Sequence, residues 1–272
     1  PRAIGALLAP FIAGQIADRF FATEKFLGIS HLLGALLVWQ LAAIETYGGF
    51  LYFSLAYSII YAPTLALTNS LAFHHLEDRD RQFGKVRVWG TVGWIVVGIA
   101  VGQWLLHRHT PSGPGVTAEM VKAAQAAGRA DAFRLSAVLG GILGVFCFFL
   151  PSTPPSKGQE TNAAFAALSE VGRNPLLTLF LVSVPISCIH QFYFVHTSGF
   201  LSAFQNSAAS AINDVLGVGG GGLMTIGQMS EFLVIAAIPM VAKQVSRKSL
   251  LLVGSAAYAL RMALFAYVNA IP

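Results

Sequence analysis

Charged residues are scarce in this sequence, because Asp, Glu, Lys and Arg together make up only 11% of its 272 residues. A soluble domain carries about 25% charged residues, so a globular protein with a water-facing surface is disfavoured. Hydrophobic residues, in contrast, make up 55% of the chain. The composition therefore indicates a membrane protein.

Cysteine is also scarce. The two cysteines of the chain, Cys147 and Cys188, fall in different apolar stretches. Such a pair implies no disulfide framework. We expect each cysteine to serve as a small apolar packing residue.

Motifs for several kinds of catalysis are missing as well. The glycine run 217–222 is followed by Leu223 and Met224, where a P-loop would need Lys and then Ser or Thr. An intramembrane protease would need a Ser with a His base, or two Asp residues within spans, whereas Asp214 falls in a predicted loop. The sequence predicts no enzyme of these classes.

Metal and nucleic-acid sites are not predicted either. Residues 74–78 group two histidines with two carboxylates, but their spacing fits no tetrahedral site and the basic residues beside them oppose cation binding. We interpret this segment, and His107 with His109, as solvated span ends. The net charge is +5, yet no basic face carries the interleaved aromatics that a nucleic-acid partner would need.

Long apolar runs dominate the sequence instead. A helix needs about 20 mostly apolar residues to cross the hydrocarbon, and the runs are unbroken rather than alternating, which favours helices over barrel strands. The sequence therefore predicts an all-α membrane protein, a polytopic transmembrane helical bundle. We place its eight spans at about residues 3–17, 26–44, 51–73, 88–106, 133–150, 176–195, 221–241 and 250–268.

Proline, serine and polar residues in the segment 151–162 separate two groups of spans. We predict an N-terminal helical half at 1–150, a linker at 151–174 and a C-terminal helical half at 175–272. Eleven of the 17 Lys and Arg residues lie in the connections 18–25, 74–87, 151–174 and 242–249, which we therefore expect to face the cytoplasm. Residues 13–37 and 238–264 have the same build, a span, a short basic turn and another span. Two similar halves joined in this way are typical of a rocking transporter with a midplane site.

Glu231 is the first functional candidate, because it lies near the middle of the apolar run 221–241. A charge at the bilayer centre costs about 2.5 to 3.5 kcal/mol on insertion scales, so such a residue usually faces a partner, a cavity or a proton path. Desolvation also favours the neutral acid. Glu231 is therefore expected to take up the coupling proton, unless it forms a purely structural ion pair with Arg261 in the next span.

Other polar residues within the spans share helical faces, since side chains three or four residues apart lie side by side. The three predicted faces are Arg87, Thr91 and Trp94; Ser187, Gln191 and Phe194; and Gln228 with Glu231. Together they suit a neutral solute with several hydrogen-bonding groups and a flat apolar part.

Each of these residues also has a structural interpretation. Arg87 lies at a span end and could extend to the interface. Gln191 and Gln228 could bond between helices, and Trp94 could face lipid.

Four segments carry a family resemblance. YAPTLALTNSLAF (61–73), VRVWGTVGW (86–94), QMSEFLVIAAIP (228–239) and LRMALFAY (260–267) resemble the nucleoside:H+ symporter family of the major facilitator superfamily. The resemblance implies a twelve-helix fold, of which the eight spans would be helices two to nine. Since the sequence begins at Pro1 and stops at Pro272 directly after a span, we expect it to be incomplete.

The resemblance also implies a nucleoside site and a function. The site would comprise Arg87, Thr91, Trp94, Gln191, Phe194, Gln228 and Glu231, where Phe194 replaces an amide of the best-known members. We expect proton-coupled nucleoside import by alternating access in a bacterial cytoplasmic membrane, by a monomer with no cofactor except the proton. The alternatives are a carrier of a sugar or another small polar solute, and a membrane protein that transports nothing.

Overall fold

The computed structural model of the protein describes residues 21–154, 170–201, 207–218, 222–241 and 244–267. Within these ranges the regular structure is helical, with no strand. The described helices are α1 (Thr23–Leu41), α2 (Tyr47–His75), α3 (Arg79–His109), α4 (Ala118–Cys147), α5 (Leu176–Leu201), α6 (Ser207–Leu216), α7 (Gly222–Val241) and α8 (Arg247–Tyr267). The all-helical prediction is confirmed.

Each predicted span from 26–44 onward overlaps a described helix over most of its length. Of the described helices, α2, α3, α4, α5 and α8 are long and apolar enough to cross a membrane, and residues 222–237 of α7 form a shorter apolar helix. The predicted span 3–17 lies outside the described residues. Helix α1 covers most of the predicted span 26–44.

The loop prediction for Asp214 was wrong, and α4 extends further than its predicted span. Asp214, assigned to a loop, lies in the ten-residue helix α6, which is too short to register as a span. Helix α4 begins at Ala118, well before the apolar run that starts at residue 133, because the Thr117 hydroxyl caps its first turn by accepting from the Met120 N–H at 3.3 Å.

The chain divides into two compact units. The first contains residues 1–79 and 113–173, with helices α1, α2 and α4; the second contains 80–112 and 174–272, with α3 and α5 to α8. This grouping differs from the predicted halves at residues 80–112, since α3 belongs with the helices of the C-terminal part. The division into functional halves stays a prediction.

In the first unit, α1 packs closely on α4 because both helices present glycine. A Cβ atom added at Gly28 would lie 2.7 Å from the Phe148 ring, and one at Gly144 would lie 2.8 Å from Leu32. Small residues allow membrane helices to approach in this way. The buried Glu24 carboxylate accepts a hydrogen bond from the Thr153 N–H at 2.9 Å, which ties the start of α1 to the segment after α4.

In the second unit, helix α6 is attached to α3. The Gln103 side-chain amide donates to the carbonyl oxygens of Asp214 and Val215 at 3.0 and 2.8 Å, so it satisfies two free acceptors at the end of α6. Gly217 follows with a φ of +86°, and a Cβ there would collide with the backbone of Gly102. Glycine is therefore required at this position both by conformation and by space.

Candidate functional site

The predicted faces of α3 and α5 meet at an aromatic pair. The rings of Trp94 and Phe194 have centroids 5.8 Å apart and planes at 89°, which is the edge-to-face arrangement that aromatic rings prefer. Trp94 is nevertheless 57% exposed, so the described helices leave much of its indole surface uncovered.

Thr91 and Arg87 precede Trp94 on the same face of α3. Thr91 is buried, whereas Arg87 is exposed. The Nη1 atom of Arg87 would lie only 3.0 Å from a Cβ atom added at Gly90. The guanidinium therefore passes over a position that has no side chain, and it extends along α3 in the direction of Trp94.

Helix α5 carries Ser187 and Gln191 on the face that leads to Phe194. Both side chains are exposed, so the amide of Gln191 is free of packing and can donate and accept hydrogen bonds. The helix contains Pro185, which lacks the N–H needed for one helical hydrogen bond. This proline lies just before the polar face.

Helix α7 carries Gln228 and Glu231. Gln228 is half-buried and Glu231 is exposed. Next to Gln228, a Cβ added at Gly227 would lie 3.3 Å from the Tyr193 hydroxyl, so α7 packs against α5 at this level. Within the described ranges, no hydrogen bond or ion pair joins Gln228 or Glu231 to the predicted residues of α3 and α5.

Arg261 on α8 lies between two tyrosine rings. Its guanidinium carbon is 4.4 Å from the ring centres of both Tyr193 and Tyr258. A guanidinium is planar and weakly hydrated, and it stacks well on aromatic faces. The alternative ion pair with Glu231 does not occur among the described residues of α7 and α8, where the Arg261 guanidinium contacts these two rings.

His190 is a residue that the sequence interpretation missed. Its Nδ1 atom is 2.6 Å from the Tyr258 hydroxyl, and its ring lies 4.8 Å from that of Phe194. A signal was available in the sequence, since an ionisable residue within a span is unusual and His190 lies four residues before Phe194 on the same face.

The described residues contain no group of three or more His, Cys, Asp or Glu side chains that could hold a metal ion. The candidate site therefore consists of hydrogen-bonding and aromatic side chains together with one carboxylate. Such a set can bind a polar solute and exchange a proton.

The family model described as Nucleoside H+ symporter matches residues 1–271 of the chain. The candidate nucleoside transporter YegT of Escherichia coli K12 is 34% identical over 272 residues, covering 98% of this chain and 58% of YegT. The nucleoside permease NupG of the same organism is 26% identical over 282 residues, covering 99% of this chain and 62% of NupG. The xanthosine permease of E. coli K12 is 26% identical over 277 residues, covering 98% of this chain and 61% of that permease.

Two crystal structures of the nucleoside transporter NupG resemble this structure. One, of a mutant, has a TM-score of 0.74 at 24% identity; the other has a TM-score of 0.70 at 23% identity. Each alignment covers 100% of this chain and 64% of the other. The likeness shows that this chain shares the fold of NupG over the aligned part. The chain spans about three-fifths of the length of the curated relatives.

Proposed function

This chain belongs to the Nucleoside H+ symporter family, and we propose that it carries nucleosides across a bacterial cytoplasmic membrane together with protons. It is an integral membrane protein with five long apolar helices among its described residues. The names of NupG and the xanthosine permease support a nucleoside as the solute. Transport proceeds by alternating access, in a monomer, with the proton as the coupling ion.

The meeting of Trp94 with Phe194 is the observation that carries the proposal. A nucleoside combines a flat heteroaromatic base with a sugar that carries several hydroxyl groups. The exposed indole of Trp94 offers a surface on which the base stacks, with Phe194 closing one edge. A sugar has no aromatic ring to stack on the indole, so this pair favours a nucleoside over a sugar.

Hydrogen-bonding groups surround the aromatic pair on its own helices. On α3, Thr91 lies about one turn before Trp94 and Arg87 about two turns before it, and on α5 Gln191 lies about one turn before Phe194. Arg87 donates only, whereas Gln191 donates and accepts. These residues bind the polar edge of the base and the sugar hydroxyls.

Glu231 supplies the proton site. None of the described residues forms an ion pair with its carboxylate, which lies within the apolar helix α7. A carboxylate at membrane depth is costly without a partner, and protonation removes that cost. Gln228, three residues earlier on α7, links this acid to the solute by offering an amide on the same face.

Uptake by the full-length gene product in energised vesicles tests this function. We expect radiolabelled uridine to accumulate when a proton gradient is imposed and to stop accumulating when an ionophore collapses the gradient. Unlabelled nucleosides should compete, whereas free sugars should not. Absence of uptake, or accumulation that ignores the gradient, would contradict the proposal, and competition by sugars alone would favour a sugar carrier.

A further inference from the structure

Helix α8 is connected to the aromatic pair by an unbroken series of contacts. The Arg261 guanidinium lies 4.4 Å from the centre of the Tyr258 ring, and the Tyr258 hydroxyl is 2.6 Å from Nδ1 of His190. The His190 ring lies 4.8 Å from the Phe194 ring, at an angle of 64°. Phe194 in turn meets Trp94.

The direction of the central hydrogen bond follows from the cation above the tyrosine. A guanidinium over the ring face draws electron density from it, which makes the phenol a better donor. We therefore assign the Tyr258 O–H as donor and His190 Nδ1 as acceptor, so that the imidazole proton is on Nε2. In this arrangement the hydrogen bond holds one edge of the imidazole toward α8, while the same ring lies 4.8 Å from that of Phe194.

This arrangement restricts Phe194. His190 lies one helical turn before Phe194 on α5, so its ring closes the space into which the phenyl ring would otherwise rotate. Without the bond to Tyr258 the exposed His190 side chain gains rotamers, and Phe194 gains them with it. The contact between Phe194 and Trp94 therefore depends on two residues of α8 that are not themselves in the aromatic pair.

We propose that Arg261 and Tyr258, acting through His190, are positioning residues that fix Phe194 against Trp94 and thereby set the space available to the nucleoside base. The proposal rests on the proposed function. A purine base has one more ring than a pyrimidine base, so the position of Phe194 decides how well each class fits. The Arg261–Tyr258–His190 relay is thus a determinant of specificity.

The chain offers a matched pair of variants. Tyr258→Phe removes one hydroxyl and keeps the ring on which Arg261 stacks. Tyr193→Phe also removes one hydroxyl from a ring at the same 4.4 Å from Arg261, but His190 bonds only to Tyr258 of these two residues. A difference between the variants therefore reports the hydrogen bond and not the loss of a hydroxyl near Arg261.

The measurement is the KM and maximal rate of uridine and adenosine uptake in energised vesicles, at matched amounts of inserted protein. We expect Tyr258→Phe to change the ratio of the two KM values by about two- to tenfold, as the loss of one neutral hydrogen bond permits, with the maximal rate unchanged. Tyr193→Phe should keep the wild-type ratio. In a protein that already carries His190→Ala, the further substitution Tyr258→Phe should leave the ratio of the two KM values unchanged.

The possible failures are distinct. If the wild-type protein takes up no nucleoside, the proposed function is wrong, and the positioning role that depends on it is also wrong. If the wild type transports nucleosides but Tyr258→Phe and Tyr193→Phe have the same ratio of KM values, the relay alone is wrong. An additive effect of Tyr258→Phe in the His190→Ala background would also overturn it, because the hydroxyl would then act by another route.

Discussion

The indole ring of Trp94 and the phenyl ring of Phe194 meet edge to face, with centroids 5.8 Å apart. The two residues are a hundred positions apart in the chain and lie on α3 and α5, which belong to the same compact unit. Their contact brings together two polar helical faces that the sequence pattern defines separately. The predictions below concern the residues that lie on these faces and on α7.

Removal of the indole tests its role as a stacking surface. We expect Trp94→Ala to raise the KM for uridine roughly tenfold, because stacking of one base on an aromatic side chain contributes about 1 to 3 kcal/mol. Trp89→Ala is the control, since Trp89 lies on the same helix and is 73% exposed but has no predicted role. Equal KM values for both variants would remove Trp94 from the site.

An alanine at Gly90 tests whether the Arg87 guanidinium contacts the solute from its present position. An alanine there would place its Cβ 3.0 Å from the Arg87 guanidinium, whereas a Cβ at Gly93 meets nothing within 4 Å. Both substitutions favour the helix by about 1 kcal/mol, so stability does not distinguish them. We expect Gly90→Ala to weaken nucleoside binding to purified protein and Gly93→Ala to leave it unchanged; identical affinities would show that Arg87 does not contact the solute.

Removal of the exposed Gln191 amide tests whether this side chain forms a hydrogen bond with the solute. Gln191→Ala should weaken uridine binding about two- to tenfold, the range expected for one lost hydrogen bond. Cys188→Ala, at an exposed position on the same helix, provides the control. Titration calorimetry on the purified proteins measures both, and unaltered binding by Gln191→Ala would exclude this residue.

Replacement of the Glu231 carboxylate tests whether this group carries the coupled proton. Glu231→Gln keeps the size and most of the hydrogen-bonding capacity of the side chain but cannot take up a proton. We expect this variant to insert normally and to exchange labelled for unlabelled uridine across the membrane, while it loses accumulation driven by a proton gradient. Asp214→Asn, which removes an exposed carboxylate on α6, should accumulate uridine normally.

Much of the fold was accessible from the sequence because membrane spans depend on local composition. The runs that predicted spans at 176–195 and 221–241 correspond to α5 and α7, and the family resemblance is confirmed by the match over residues 1–271. Helix α6 was missed because ten residues are too few for a span. The early turns of α4 were missed because Lys122 and Arg129 interrupt the apolar pattern there.

The site was accessible only in part. Helical spacing places Arg87, Thr91 and Trp94 on one face, but it does not determine how far one helix is rotated against the next. The sequence suggested Glu231 as a possible partner for Arg261 only because the two residues lie at a similar depth in the membrane. The structure places the Arg261 guanidinium between Tyr193 and Tyr258. The association of α3 with α5 to α8 likewise depends on tertiary packing rather than on chain order.

Proton entry during nucleoside transport tests the central claim most directly. Purified full-length protein is placed in liposomes that contain a pH-sensitive dye, with equal pH on both sides, and uridine is then added outside. We predict that the interior becomes acidic as uridine enters through the wild-type protein, and that it does not with Glu231→Gln. Uridine entry through the wild-type protein without acidification, or equal acidification through Glu231→Gln, would contradict the account.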